Sequence, residues 1–172
     1  EFSDDAAIVE NNLFDQCGSG GYVSSVDSDI IIYRNNTVDF SGIENPSGAF
    51  QIPCTGNISI VDCKFIHNKQ SGIISYEPIS AGTVDNTFHC ENCQFTDCIG
   101  TCLKLSLLAE SKEKITVSAC TFENCDIGND NAIAISSPAQ STTAVQDSKL
   151  LLQTLFLPKA SPEKRLMLKK VN

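Results

Sequence analysis

The sequence predicts an all-β fold built as a parallel solenoid, and three observations carry the prediction. A short string, Cys or Asn, any residue, Phe, two residues, then Cys or Asn, returns along the chain at 12–17, 63–68, 93–98 and 120–125, with a degenerate copy at 36–41. The starts of these copies are 24, 27, 30 and 27 residues apart, which suits a solenoid repeat and is too short for the roughly 40 residues of a propeller blade. No unit carries a helical apolar stripe, and apolar residues alternate with polar ones on either side of the string.

Each unit opens on an alternating strand. The inward pairs are Ile31 and Tyr33, Ile58 and Ile60, Phe88 and Cys90, and Ile115 and Val117. The string follows, with its Phe expected between two bends. Next come a polar, Gly-bearing turn and a second apolar stretch, as in SGAFQI, SGIIS, TCLKLS and DNAIAI, with GGYVSSV in the first unit. The Gly residues are expected to supply the positive φ that this turn needs.

A leucine-rich repeat shares part of the string, in ISIVDCKF and ITVSACTF. That repeat also wants an apolar residue three places upstream, where this chain has Thr55, Asp85 and Lys112. It has no place for the second apolar stretch either. A right-handed parallel β-helix of about five rungs accommodates both strands, with like residues stacked about 4.8 Å apart.

Stacking explains the recurrence. Phe14, Phe65, Phe95 and Phe122 are expected to form one column, with Val38 as its weak member. Asn12, Asn36, Cys63, Cys93 and Cys120 form a second column. Cys17, Ser41, Asn68, Cys98 and Cys125 form a third. The repeats are assigned to residues 1–157 and a basic tail or cap to 158–172. KLLLQTLF is read as one more first strand that puts Phe156 in the Phe column. A short helix from Pro162 to Lys170 or a frayed end would follow. The first residue is Glu, and the opening residues already read as the second half of a unit, so a cut through a longer chain is expected.

The chain has 172 residues and a net charge of −9. Its first 158 residues carry 7 Lys/Arg against 20 Asp/Glu, while the last 14 carry 5 against 1. An acidic body argues against nucleic acid, which requires a basic face. No apolar run reaches the 18–20 or so residues of a membrane helix.

Nine cysteines admit three readings. A buried thiol ladder is favoured over disulfides, because an odd count leaves one thiol over and stacked side chains run parallel. A zinc site is the third reading: Cys90, Cys93, Cys98 and Cys102 stand close in sequence beside His89, with only one of the two C-x2-C knuckles such a site uses. Alternation along the Phe88 strand is expected to scatter these sulfurs, so no metal or cofactor is assigned.

Catalytic sets are not assigned either. The stretch GNDNAIAIS is similar to the DDCIAI stretch of polygalacturonases, which share this architecture with pectate lyases. It keeps one Asp, Asp130, with Asn131 in place of the neighbour, whereas inverting hydrolysis uses two carboxylates about 6.5–9.5 Å apart. His67 and His89 read as surface or corner residues. The sequons at Asn35 and Asn57 matter only on a eukaryotic secretory route.

The paired motifs resemble the polymorphic outer-membrane-protein repeats of chlamydiae and related surface proteins of trichomonads, which repeat FxxN and GGA[ILV]. Phe65-Ile-His-Asn68 is a full FxxN; Phe14, Phe95 and Phe122 lead copies in which Cys17, Cys98 and Cys125 replace the Asn. Gly20-Gly21-Tyr22-Val23 and Ser47-Gly48-Ala49-Phe50 are partial forms of the second motif. The resemblance implies a β-helix displayed extracellularly or at the cell surface, with an adhesin-like role toward a glycan or a host or surface protein. A non-catalytic scaffold is the expectation; a carbohydrate-active β-helix enzyme is the alternative. Open strand edges at both ends invite end-to-end self-association.

Overall fold

The computed structural model describes residues 7–16, 30–39, 50–52, 56–68, 73–76, 87–106, 114–125, 133–136, 142–146 and 149–151. Among these the protein is all-β, and its strands form three sheets in which all neighbouring strands pair in parallel. The first sheet holds Ala7–Glu10, Ile30–Arg34, Asn57–Val61, Thr87–Glu91, Lys114–Ser118 and Thr142–Gln146 in that order. The second holds Leu13–Asp15, Thr37–Asp39, Lys64–Ile66, Gln94–Thr96, Thr121–Glu123 and Lys149–Leu151. The third holds Phe50–Ile52, Ile74–Tyr76, Leu103–Ser106 and Ile133–Ser136. Strands that neighbour one another within a sheet come from successive units, so the arrangement is solenoid-like.

Register follows the repeat. Ile31 pairs with Ile58, Ile58 with Phe88, and Phe88 with Ile115. In the second sheet Phe14 pairs with Val38, Val38 with Phe65, Phe65 with Phe95, and Phe95 with Phe122. Alternation along each strand sends these residues inward, and a single buried cluster joins all three sheets.

The Phe between the two bends therefore belongs to a short strand of its own. Three residues are too few to display a period of two, so the sequence shows two strands per unit where the structure has three. The aromatic column also differs from a simple pile. Phe65, Phe95 and Phe122 stack nearly parallel, with centroids 4.8 and 4.9 Å apart. Val38 has no ring to offer, and Phe50 of the third sheet fills its place. Phe50 stacks on Tyr33 at 4.4 Å and meets Phe14 and Phe65 edge-on at 6.2 and 5.4 Å.

The C-terminal expectation is corrected. Thr142–Gln146 is the first strand of the last unit, and Leu150 pairs with Phe122. Leu thus takes the column position assigned to Phe156, because alignment on the ring alone overlooks an aliphatic substitute. Phe156, the helix proposed for 162–170 and the GGYVSSV stretch lie outside the described residues.

The chain turns from the first sheet into the second over two residues in every unit. The leading residue of that turn is left-handed: Asn11, Asn35, Asp62, Asn92 and Ala119 have φ of 51–58°. A second left-handed position, at Gln16, His67, Asp97 and Asn124, follows the second sheet. Gly supplies positive φ at Gly100, one turn further on, but at the two tight corners Asn and Asp predominate, which visit this region at low cost. The corner backbones stay paired: the amides of Asn35, Asp62 and Asn92 each donate to the next unit, to the carbonyls of Val61, Glu91 and Ser118.

Ala119 is the misfit in this series, since its Cβ disfavours the left-handed region by about 1–2 kcal/mol. Replacing Ala119 with Gly is expected to stabilise the protein by about 0.5–1 kcal/mol, part of the gain being offset by the freer unfolded chain. Urea denaturation checks this, with a lowered midpoint as the contrary result.

Candidate functional site

The side chains that recur at the corners do so for a hydrogen-bonding reason. Asn36 Nδ2 donates to the Val9 carbonyl of the preceding unit at 2.8 Å. At the same position one, two and three units later, the sulfurs of Cys63, Cys93 and Cys120 donate to the carbonyls of Tyr33, Ile60 and Cys90 at 3.8, 3.6 and 3.7 Å. The other corner repeats the pattern. Asn68 Nδ2 donates to the carbonyls of Val38 and Ile66, Cys98 to those of Phe65 and Thr96, and Cys125 to those of Phe95 and Glu123. A thiol and a carboxamide thus do the same work, donating to a buried carbonyl.

Seven described cysteines are buried free thiols: Cys63, Cys90, Cys93, Cys98, Cys102, Cys120 and Cys125. The other two, Cys17 and Cys54, lie outside the described residues. The expectation that the sulfurs of Cys90, Cys93, Cys98 and Cys102 scatter to opposite faces is corrected. All four point inward, because Cys90 alternates with His89 and the other three sit at corners. They divide between two clusters that also draw on the next unit.

One cluster is Cys90, Cys93 and Cys120, whose sulfurs all lie within 4.8 Å of one another. Cys90 and Cys120 are 3.8 Å apart, and Cys63 contacts Cys93 from the preceding unit. The other cluster is Cys98, Cys102 and Cys125, linked by thiol hydrogen bonds. Column stacking accounts for Cys93, Cys98, Cys120 and Cys125. It does not account for Cys90, which pairs with Ile60 and Val117, nor for Cys102, which stands beside Ile73 by the register of the third sheet.

The thiols within each cluster differ in acidity. Hydrogen bonds from Cys90 and Cys93 lower Cys120, and those from Cys102 and Cys98 lower Cys125. Contact with Cys120 pushes both Cys90 and Cys93 up, and burial adds to it. Contact with Cys102 lowers Cys98, but Cys125 and burial outweigh it and leave Cys98 at about 12. The corner itself favours the neutral form: as a thiol, Cys120 donates to the carbonyls of Cys90 and Ser118, which a thiolate would repel.

The polar residues singled out in the sequence lie on the outside. His67 Nδ1 is 3.0 Å from Asp39 Oδ1 and its Nε2 is 3.9 Å from Asp97 Oδ2, in a stripe across three units. His89 meets Glu91 on its own strand at 3.0 Å, away from the sulfurs that flank it in sequence. Neighbouring stripes pair Asn35 with Asn11 at 2.7 Å, Asn92 with Asp62 at 2.5 Å, and Arg34 with Glu10. Of the sequon residues, Asn35 spends its amide on Asn11, while Asn57 uses Oδ1 to accept from Thr87. Asp130 lies outside the described residues. Sequence reasoning placed Cys93 and Cys120 in one column but missed Cys90 as their third partner; the 27- and 30-residue offsets were the available signal.

Fold and site together define an all-β protein of parallel strands whose corners are lined with interchangeable Asn and Cys. No family model matches the chain, and neither the curated proteins nor the solved structures give a significant match. Among the described residues, no helix is long and apolar enough to cross a membrane.

Proposed function

We propose that the chain is a right-handed parallel β-helix of about six rungs that serves as a non-catalytic extracellular or cell-surface scaffold, binding a glycan or a partner protein through its longer connections. One observation carries this reading. The connection from the first sheet to the second is two residues in every unit, whereas those into and out of the third sheet run from four to ten. A core that tolerates length change at two corners only is built to vary its surface there, where binding residues concentrate. The FxxN resemblance supports an adhesin-like role, and the exposed Ile8 and Leu13 on the first strands of two sheets support end-to-end self-association.

A panel of pectins and other glycans is expected to go uncleaved, while a glycan array gives binding that is lost when 77–86 is cut to four residues. Turnover abolished by Asp130→Ala would overturn the reading. A carbohydrate-active enzyme is the second reading. It is favoured by His67 standing between the carboxylates of Asp39 and Asp97 on the exposed face. That reading requires turnover that disappears in both His67→Ala and Asp97→Asn.

A further inference from the structure

The corner columns require a donor once per unit, and Cys93 and Cys120 meet that requirement. Cys90 is surplus to it, because its neighbours on the strand ladder, Ile60 and Val117, fill the same place with hydrocarbon. Its sulfur completes a triangle with the other two, all three within 4.8 Å of one another and one edge at 3.8 Å. An ion bound to sulfur at about 2.3 Å, centred among three sulfurs, needs them about 4.0 Å apart. One edge is already close to that length, and the other two lie within 4.8 Å.

We infer that Cys90, Cys93 and Cys120 form a buried three-sulfur site for a soft metal ion, with Cu(I) the best fit. Thiolates select soft ions over the hard cations that oxygen ligands hold. Zn(II) takes a fourth ligand; the next thiol, Cys63, touches Cys93 but is not part of the 4.8 Å set, and all three residues are 0% exposed, so bulk water does not stand ready to supply one. The thiols that become thiolate release their protons to solvent on binding. The ion would tie the unit of 87–106 to the unit of 114–125, beside the Glu91–Ser118 pair that ends their strand ladder.

The test offers Cu(I), without oxygen, to the reduced full chain in competition with a Cu(I) chelator, during refolding and after it. The wild type is expected to retain Cu(I), with X-ray absorption showing three sulfur neighbours at about 2.3 Å. Two variants take their replacements from the protein's own columns: Cys90→Val copies Val117, and Cys120→Asn copies Asn36. Each is expected to lose one equivalent of Cu(I), by a weakening of at least about 100-fold. Cys125→Asn, the matching change in the other cluster, leaves that equivalent in place. The inference is overturned if the wild type yields all its copper to the chelator, if nitrogen or oxygen replaces sulfur around the ion, or if Cys90→Val retains as much as the wild type. Retention of Zn(II) and not of Cu(I) overturns it as well.

Discussion

Replacing Phe95 with Ala is expected to remove about 3–5 kcal/mol of stability, a large share of the roughly 5–15 kcal/mol that holds a typical domain. Phe95 is fully buried and sits between two parallel rings, Phe65 at 4.8 Å and Phe122 at 4.9 Å. Truncation leaves a ring-sized void in the middle of the column and removes both aromatic contacts, each worth about 0.5–1.5 kcal/mol beyond area burial. The strands above and below cannot close over the void, because their hydrogen-bond ladders hold them a fixed distance apart. Phe95→Leu is expected to cost less than about 3 kcal/mol, since Leu150 and Val38 already hold equivalent places in the register. Phe14→Ala should cost least, because Phe14 is only half-buried and touches Phe50 edge-on. Urea denaturation of the three variants checks the order. Equal losses for Phe95→Ala and Phe14→Ala would contradict a column that is tightest at its centre.

The fold was legible wherever one residue type had to repeat at one place. Inward pairs such as Ile58 and Ile60 obey a period of two over five residues, and their partners in register came out as the spacing predicts. What sequence reading lost was the third strand per unit and the register of the last unit, Thr142 to Leu151. In both cases the cue was too short or too plain: three residues show no periodicity, and Leu150 does not resemble Phe on paper although it occupies the same column. The sulfur cluster was missed for a different reason. Local spacing groups Cys90 with Cys98 and Cys102, whereas parallel stacking groups it with Cys120, thirty residues away. In a solenoid-like chain the neighbours of a side chain lie one period along, so motif searches over short windows look in the wrong direction. The positive-φ corners show the same limit. Asn and Asp mark most of them, but Ala119 carries no local sign of its conformation and is legible only by alignment with Asn92 and Asp62.

Asn68→Cys and Asn36→Cys look like the same experiment and are expected to differ. Asn68 uses its amide solely as a donor in the bonds described, to the carbonyls of Val38 and Ile66. Cys98 and Cys125 make the corresponding bonds one and two units on, so Asn68→Cys should change stability by less than about 1 kcal/mol. Asn36 also accepts. Its Oδ1 takes hydrogen bonds from the backbone amide of Asn12 at 3.0 Å and from Asn12 Nδ2 at 3.1 Å, while its own amide donates to Val9. A sulfur replaces the donation but is a weak acceptor, so Asn36→Cys recovers only part of what is lost. Asn36→Ala recovers none and is expected to cost about 1–3 kcal/mol for the polar partners it strands. Both donors to Asn36 Oδ1 belong to Asn12, and a mutant cycle with Asn12→Ala isolates the side-chain one while the backbone N–H stays: it should narrow but not close the gap between Asn36→Cys and wild type, without touching Asn68→Cys. Thermal or urea unfolding of the set decides the matter. If Cys at 36 is as well tolerated as Cys at 68, then Asn and Cys are interchangeable at these corners by size alone, and the hydrogen-bonding account of the columns fails.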